Sequence, residues 1–129
     1  MADSPLFAKT YDLASWLLAR TQRFPKSQRF VLAERVRNAV LDFYDYLLEA
    51  RKVDLNRRAE ALLMADVELE KLRFYLRLCL EDKLINFRQY EFSTEQVVEI
   101  GRMLGAWRQR TARKLAEGQT SQKTQVAVS

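Results

Sequence analysis

Residues 72–78, Leu-Arg-Phe-Tyr-Leu-Arg-Leu, set two arginines four positions apart inside an otherwise apolar run. On a helix that spacing stacks one guanidinium above the other, and like charges so placed cost an isolated helix roughly 0.2–0.5 kcal/mol. Arg73 and Arg77 therefore call for nearby carboxylates, free solvent or an anion carried by another molecule. A second cationic stretch, GRMLGAWRQRTARKLA over 101–116, holds Arg102, Arg108, Arg110, Arg113 and Lys114 without an acid. These charges equal the net +5 of the whole chain, and 15 of its 22 basic residues are arginine, the side chain suited to bidentate pairing with phosphate or carboxylate. One or two cations near a helix C-terminus favour the macrodipole and solubility. Five without a counter-charge point to a polyanion partner, RNA or DNA, held through its phosphates. No helix-turn-helix, zinc finger or aromatic strand platform is present to read bases.

Other chemistry is largely excluded. The chain has no histidine, which removes Ser–His–Asp and Cys–His catalysis, most zinc sites and the Glu-x-x-His di-iron sites of helical bundles. Carboxylates occur at Asp42 and Asp45, at Asp66, Glu68 and Glu70, and at Glu81 and Asp82, each set beside cations, as on a solvated, ion-paired helix face. Three glycines, Gly101, Gly105 and Gly118, form no phosphate-cradling loop, and the lone Cys79 among leucines reads as a buried thiol. The expectation is a protein that is not an enzyme and takes no metal, cofactor or small-molecule substrate. At 129 residues, 48% hydrophobic and 30% charged, the chain reads as one soluble domain without a run apolar enough to span a membrane. Met1-Ala2-Asp3-Ser4-Pro5 lacks the basic head and apolar stretch of a signal peptide, so a cytoplasmic location is expected.

The elements that must position these residues are helical, because apolar residues recur at three- and four-residue spacing and strand-like alternation is absent. A first helix starts with Ser4 as N-cap and Pro5 at its first position, turns Leu6, Tyr11, Leu13, Ala14, Leu17 and Leu18 inward, and stops before Pro25. A second runs from about Ser27 to Lys52 with Leu32, Val36, Ala39, Val40, Phe43, Leu47 and Ala50 inward. A third starts at Asp54 as N-cap and continues to about Asp82 over Leu62, Ala65, Leu69, Leu72, Leu76 and Cys79. A fourth opens on a Ser93-x-x-Gln96 capping box and turns Val97, Ile100, Leu104, Thr111 and Leu115 inward. Gly101 and Gly105 are expected to admit a neighbouring helix, and Phe87, Tyr90 and Phe92 to fold over the end of the core. Short links predict an all-α, up-down-up-down four-helix bundle over 1–117, followed by a disordered polar tail over 118–129.

The third helix carries more apolar surface than a lone bundle uses. Leu63, Val67, Phe74 and Leu78 form a line opposite its core stripe, and the second helix repeats the feature with Phe30, Leu41, Tyr44 and Leu48. Contiguous apolar lines mark contact surfaces, so self-association through the first set is expected. Arg73 and Arg77 fall between the two stripes, beside Asp66 and within reach of Glu70 and Glu81.

Three segments carry a family resemblance: FPKSQRFVL (24–32), LRFYLRL (72–78) and VVEIGRMLGAWRQR (97–110). They are similar to the accessory variability determinant (Avd) proteins of diversity-generating retroelements, over roughly residues 10–116. Four-helix-bundle proteins encoded by intervening sequences of bacterial 23S ribosomal RNA genes share the fold and the Phe-Pro link, and are the competing resemblance, implying an oligomeric RNA-binding or structural scaffold. The Avd resemblance implies a homopentameric barrel that binds nucleic acid and the retroelement's reverse transcriptase and assists error-prone copying of template RNA into cDNA. On that resemblance Arg73 and Arg77 serve the reverse transcriptase and its RNA. The chain departs from the family pattern in its acidic 66–70 stretch, its aromatic 84–92 segment and a longer polar tail.

Overall fold

The computed structural model describes residues 4–128, leaving aside the side chains of 4, 28–30 and 121–128. Helix α1 (Ser4–Thr21) is followed by a short α2 (Lys26–Gln28), a π-helical turn (Arg29–Ala33) and α3 (Glu34–Lys52), which succeed one another without a break as the second rod. Helices α4 (Leu55–Glu81) and α5 (Phe87–Val128) complete the set. Around the core the order is α1, α3, α4, α5, with α5 returning beside α1. With links this short, each rod runs antiparallel to the next, and the architecture is a four-helix bundle. No helix among the described residues is long and apolar enough to cross a membrane.

Periodicity explains the core. Every inward residue expected for the second and third helices is buried, from Leu32 to Ala50 and from Leu62 to Cys79. Burying a Leu, Val or Phe side chain contributes about 1.5–3 kcal/mol, so these stripes dominate the stability of the bundle. In α1, however, Tyr11 is 72% exposed and Thr10 is fully buried. Tyr11 lies nearly opposite Leu13 on the helix, whereas Thr10 continues the Leu6–Leu13–Leu17 face and hides its hydroxyl by donating to Leu6 O at 2.8 Å. The capping role of the Ser4 side chain lies outside the described residues.

The chain reversals are held by specific hydrogen bonds. Asp54 caps α4 as expected, its Oδ1 accepting from the Arg57 N–H at 3.0 Å. Arg58 donates from Nε to Ala50 O at 2.8 Å and from Nη2 to Val53 O at 3.2 Å, satisfying carbonyls at the end of α3. Helix α4 ends in a Schellman motif, with Leu84 N donating to Cys79 O and Lys83 N to Leu80 O, and Lys83 takes the left-handed φ of 61° that glycine usually supplies there.

Two expectations for the last helix are corrected. The capping box is Asn86 with Gln89, not Ser93 with Gln96: the Gln89 N–H donates to Asn86 Oδ1 at 2.8 Å and the Asn86 N–H to Gln89 Oε1 at 2.9 Å. Ser93 is instead buried inside the helix with its hydroxyl donating to Tyr90 O. Starting the helix seven residues earlier turns Phe87 outward and leaves Ile85, 5% exposed, to close the end of the core. Phe92 packs against Trp16 with ring centroids 5.2 Å apart, yet remains 42% exposed. At the other end α5 remains helical through Val128, so the stretch expected as a tail from residue 118 continues the helix, with Ser129 outside the described residues.

The glycines and the cysteine give two checks. A Cβ on Gly101 would make ordinary 3.5 Å contacts with Arg73 and Leu69 of α4, while one on Gly105 would meet nothing within 4 Å. Gly105 therefore does not admit a neighbouring helix, and Gly105→Ala is expected to raise stability by about 0.8–1 kcal/mol in denaturant titration. Burial, aided by Asp82, pushes the Cys79 thiol up to about 12 from its ordinary 9.0. A raised acid pKa means that the unfolded chain loses its proton first, so this contribution to stability is present below pH 9 and falls between about 9 and 12. Unfolding followed over that range in wild type and Cys79→Ala is expected to show a shallower decline in the variant.

Candidate nucleic-acid and partner interface

Helix α4 has three sectors. Its core stripe faces inward, Asp66, Glu70, Arg73 and Arg77 lie along the seam with α5, and Leu63, Val67 and Phe74 face away from the bundle. Arg73 Nη1 is 3.9 Å from Glu70 Oε1, and Arg77 Nε donates to Glu81 Oε1 at 3.3 Å. Of the three partners that the four-residue spacing allowed, carboxylates of the same helix are the ones in place. All four groups are substantially exposed, and ion pairs of that kind are worth about 0–1 kcal/mol, so an incoming carboxylate or phosphate displaces them at small cost.

The five cations of α5 divide. Arg102 pairs with Glu99 one turn back, and its hydrogen bond holds the Glu99 carboxyl below the usual range. Arg108 reaches across the seam to Asp66, Nη1 to Oδ2 at 3.5 Å. These two correct the reading of five unopposed charges, because the counter-charges lie outside the 101–116 window, one on the preceding turn and one on a neighbouring helix. Arg110, Arg113 and Lys114 form no ion pair among the described residues. Because α5 continues well past them, they do not sit in its last turn, and the macrodipole does not account for them.

The acidic 66–70 run is ion-paired throughout: Asp66 to Arg108, Glu68 to Lys71 at 3.0 Å and Glu70 to Arg73. Glu68 is buried, and its hydrogen bond raises the pKa of Lys71. Beside this pair a groove of about 390 Å³ opens between α3 and α4, with Glu34, Asp42 and Tyr75 in its walls.

Of the expected contact line, Leu63, Val67 and Phe74 are exposed, Phe74 at 61%. Leu78 is the exception: α4 ends less than a turn later, and its side chain lies half-buried at the edge of the core. On α1 and α3, Tyr11, Leu41 and Tyr44 are further exposed apolar side chains. Phe30 lies outside the described side chains, and Leu48 is half-buried. The two groups differ in residues and lie on different helices of the ring.

Fold and surface together define a class: an all-helical bundle with a cationic helix and two unlike apolar faces. The chain belongs to the bAvd-like family, whose model matches residues 6–111. The crystal structure of a protein of unknown function from the S23 ribosomal protein family of Bacteroides thetaiotaomicron VPI-5482 superposes with a TM-score of 0.78 at 19% identity, covering 84% of this chain and 99% of that one. At that identity the likeness is one of fold. No curated protein matches the chain.

Proposed function

We propose that this chain is a non-enzymatic accessory protein of a diversity-generating retroelement, which binds nucleic acid and the reverse transcriptase to support mutagenic cDNA synthesis and retrohoming. Membership of the bAvd-like family over residues 6–111 is the observation that carries this reading. The unpaired cations of α5 supply attraction to RNA and DNA phosphates. The unlike apolar sets on α4 and on α1 and α3 suit head-to-tail association of identical subunits, in which one patch meets a different patch and the ring closes; the family resemblance makes that ring a pentamer. Arg73 and Arg77, held only by weak pairs, are the residues offered to the reverse transcriptase and its RNA. A second reading, an oligomeric RNA-binding or structural scaffold of the intervening-sequence type, is favoured by the S23-family structural likeness.

The test is Arg73→Ala and Arg77→Ala in co-precipitation with the reverse transcriptase and in cDNA synthesis. Both are expected to fall about ten- to a hundredfold with the fold intact, since a hydrogen bond to a charged group contributes about 1.5–3 kcal/mol. Arg→Lys keeps the charge and loses the planar fork; full activity of the Lys variants reduces the contact to simple attraction. Full activity of the Ala variants leaves Arg73 and Arg77 as partners of Glu70 and Glu81 alone.

A further inference from the structure

Glu60 extends the exposed apolar line of α4, standing three residues before Leu63 and seven before Val67, one and two turns back on the same side of the helix. It is exposed and forms no ion pair among the described residues. The apolar set on α1 and α3 ends in the opposite charge. Phe7 packs its ring against Tyr44 with centroids 6.4 Å apart, and the guanidinium carbon of Arg51 lies 4.3 Å from the centre of the same Phe7 ring. Arg51 too is exposed and forms no ion pair among the described residues. A guanidinium held over an aromatic ring is ordered by it and keeps edge N–H donors for a carboxylate.

The two sets also stand at matching heights. Helices α3 and α4 run antiparallel from the Val53–Asp54 link, so residues equally far from it lie level along the bundle. Tyr44 precedes Val53 by nine residues and Leu63 follows Asp54 by nine, while Leu41 and Val67 lie twelve and thirteen away. Arg51 and Glu60 lie two and six away, a difference of about 6 Å at 1.5 Å per residue, which two long side chains span. We propose that in the assembly Arg51 of one copy pairs with Glu60 of the next, at the edge of a contact in which Leu41 and Tyr44 meet Leu63 and Val67 with the bundles side by side. The inference rests on the self-association reading above and adds its register. A charge pair at the rim of an apolar contact selects one alignment and penalises others, in which like charges meet or a charge is left unpaired. Holding Arg51 over Phe7 beforehand reduces the side-chain freedom lost when the pair forms.

The experiment is a charge swap in the full chain, read as light-scattering mass over a dilution series. Arg51→Glu and Glu60→Arg, each alone, set like charges against each other and are expected to raise the concentration at which the assembly dissociates about tenfold. The double variant restores opposite charges and is expected to assemble more tightly than either single one. Glu95→Arg, at an exposed acid of α5, makes the same change of charge as Glu60→Arg and is expected to leave assembly unchanged. If the double variant is no tighter than the singles, or either single assembles as wild type, the two side chains do not meet and the inference is overturned. The self-association reading then still stands where Val67→Glu with Phe74→Glu releases monomer. If Glu95→Arg weakens assembly as much as Glu60→Arg, the effect belongs to net charge and the pairing is overturned. A wild-type chain that is monomeric removes both readings. Circular dichroism of each variant confirms that the helices are retained.

Discussion

Light scattering of the purified chain is expected to return a mass several-fold above 15.2 kDa, fivefold on the family resemblance. The reason is surface that a monomer leaves wet. Leu63, Val67 and Phe74 are exposed on α4, and Tyr11, Leu41 and Tyr44 on α1 and α3. Fully burying a large apolar side chain contributes about 1.5–3 kcal/mol, roughly ten- to a hundredfold in association for each residue. Val67→Glu with Phe74→Glu should therefore shift the assembly toward monomer, with helicity unchanged because neither side chain reaches the core. A single self-complementary face would give a dimer, whereas head-to-tail association needs a second, unlike face, so Tyr44→Glu on α3 is expected to act in the same direction. A stable monomer of the wild-type chain at micromolar concentration would remove the basis for this expectation.

The second large effect is expected from Arg110→Gln, Arg113→Gln and Lys114→Gln combined. Their side chains form no ion pair among the described residues, so the loss is one of attraction to a partner rather than of internal structure. Affinity for RNA and DNA should fall alike, and the dependence of log affinity on log salt should flatten by nearly one unit for each lost phosphate contact. Base sequence should hardly matter, because phosphate contacts position a protein without reading bases. Arg102 and Arg108 make a useful contrast. Each already has a carboxylate in Glu99 or Asp66, so replacing either should change the slope less.

The core of the two central rods was legible because burial imposes the helical period directly on apolar residues. What periodicity missed were polar residues in core positions. Thr10, Thr21 and Ser93 are buried because each hydroxyl donates to a carbonyl within its own helix, which lets a small polar residue fill an inward position. Asp54 announced its helix by the N-cap pattern and forms the cap. The Ser93-x-x-Gln96 pattern was an equally good local signal and was overridden by Asn86-x-x-Gln89, which closes the same kind of box nearer the turn.

By itself, then, the sequence determined the helical class, the inward stripes of α3 and α4, the absence of histidine chemistry and the excess of positive charge. These depend on composition and on neighbours within one or two turns. Only the tertiary structure decided which cations are opposed, because Asp66 meets Arg108 across a helix seam forty-two residues apart in the chain. It likewise decided that Tyr11 is exposed and Leu78 half-buried, and that Phe87 faces outward while Ile85 closes the core. Such outcomes follow from how helices pack and where they end, and packing brings together residues that no local period connects.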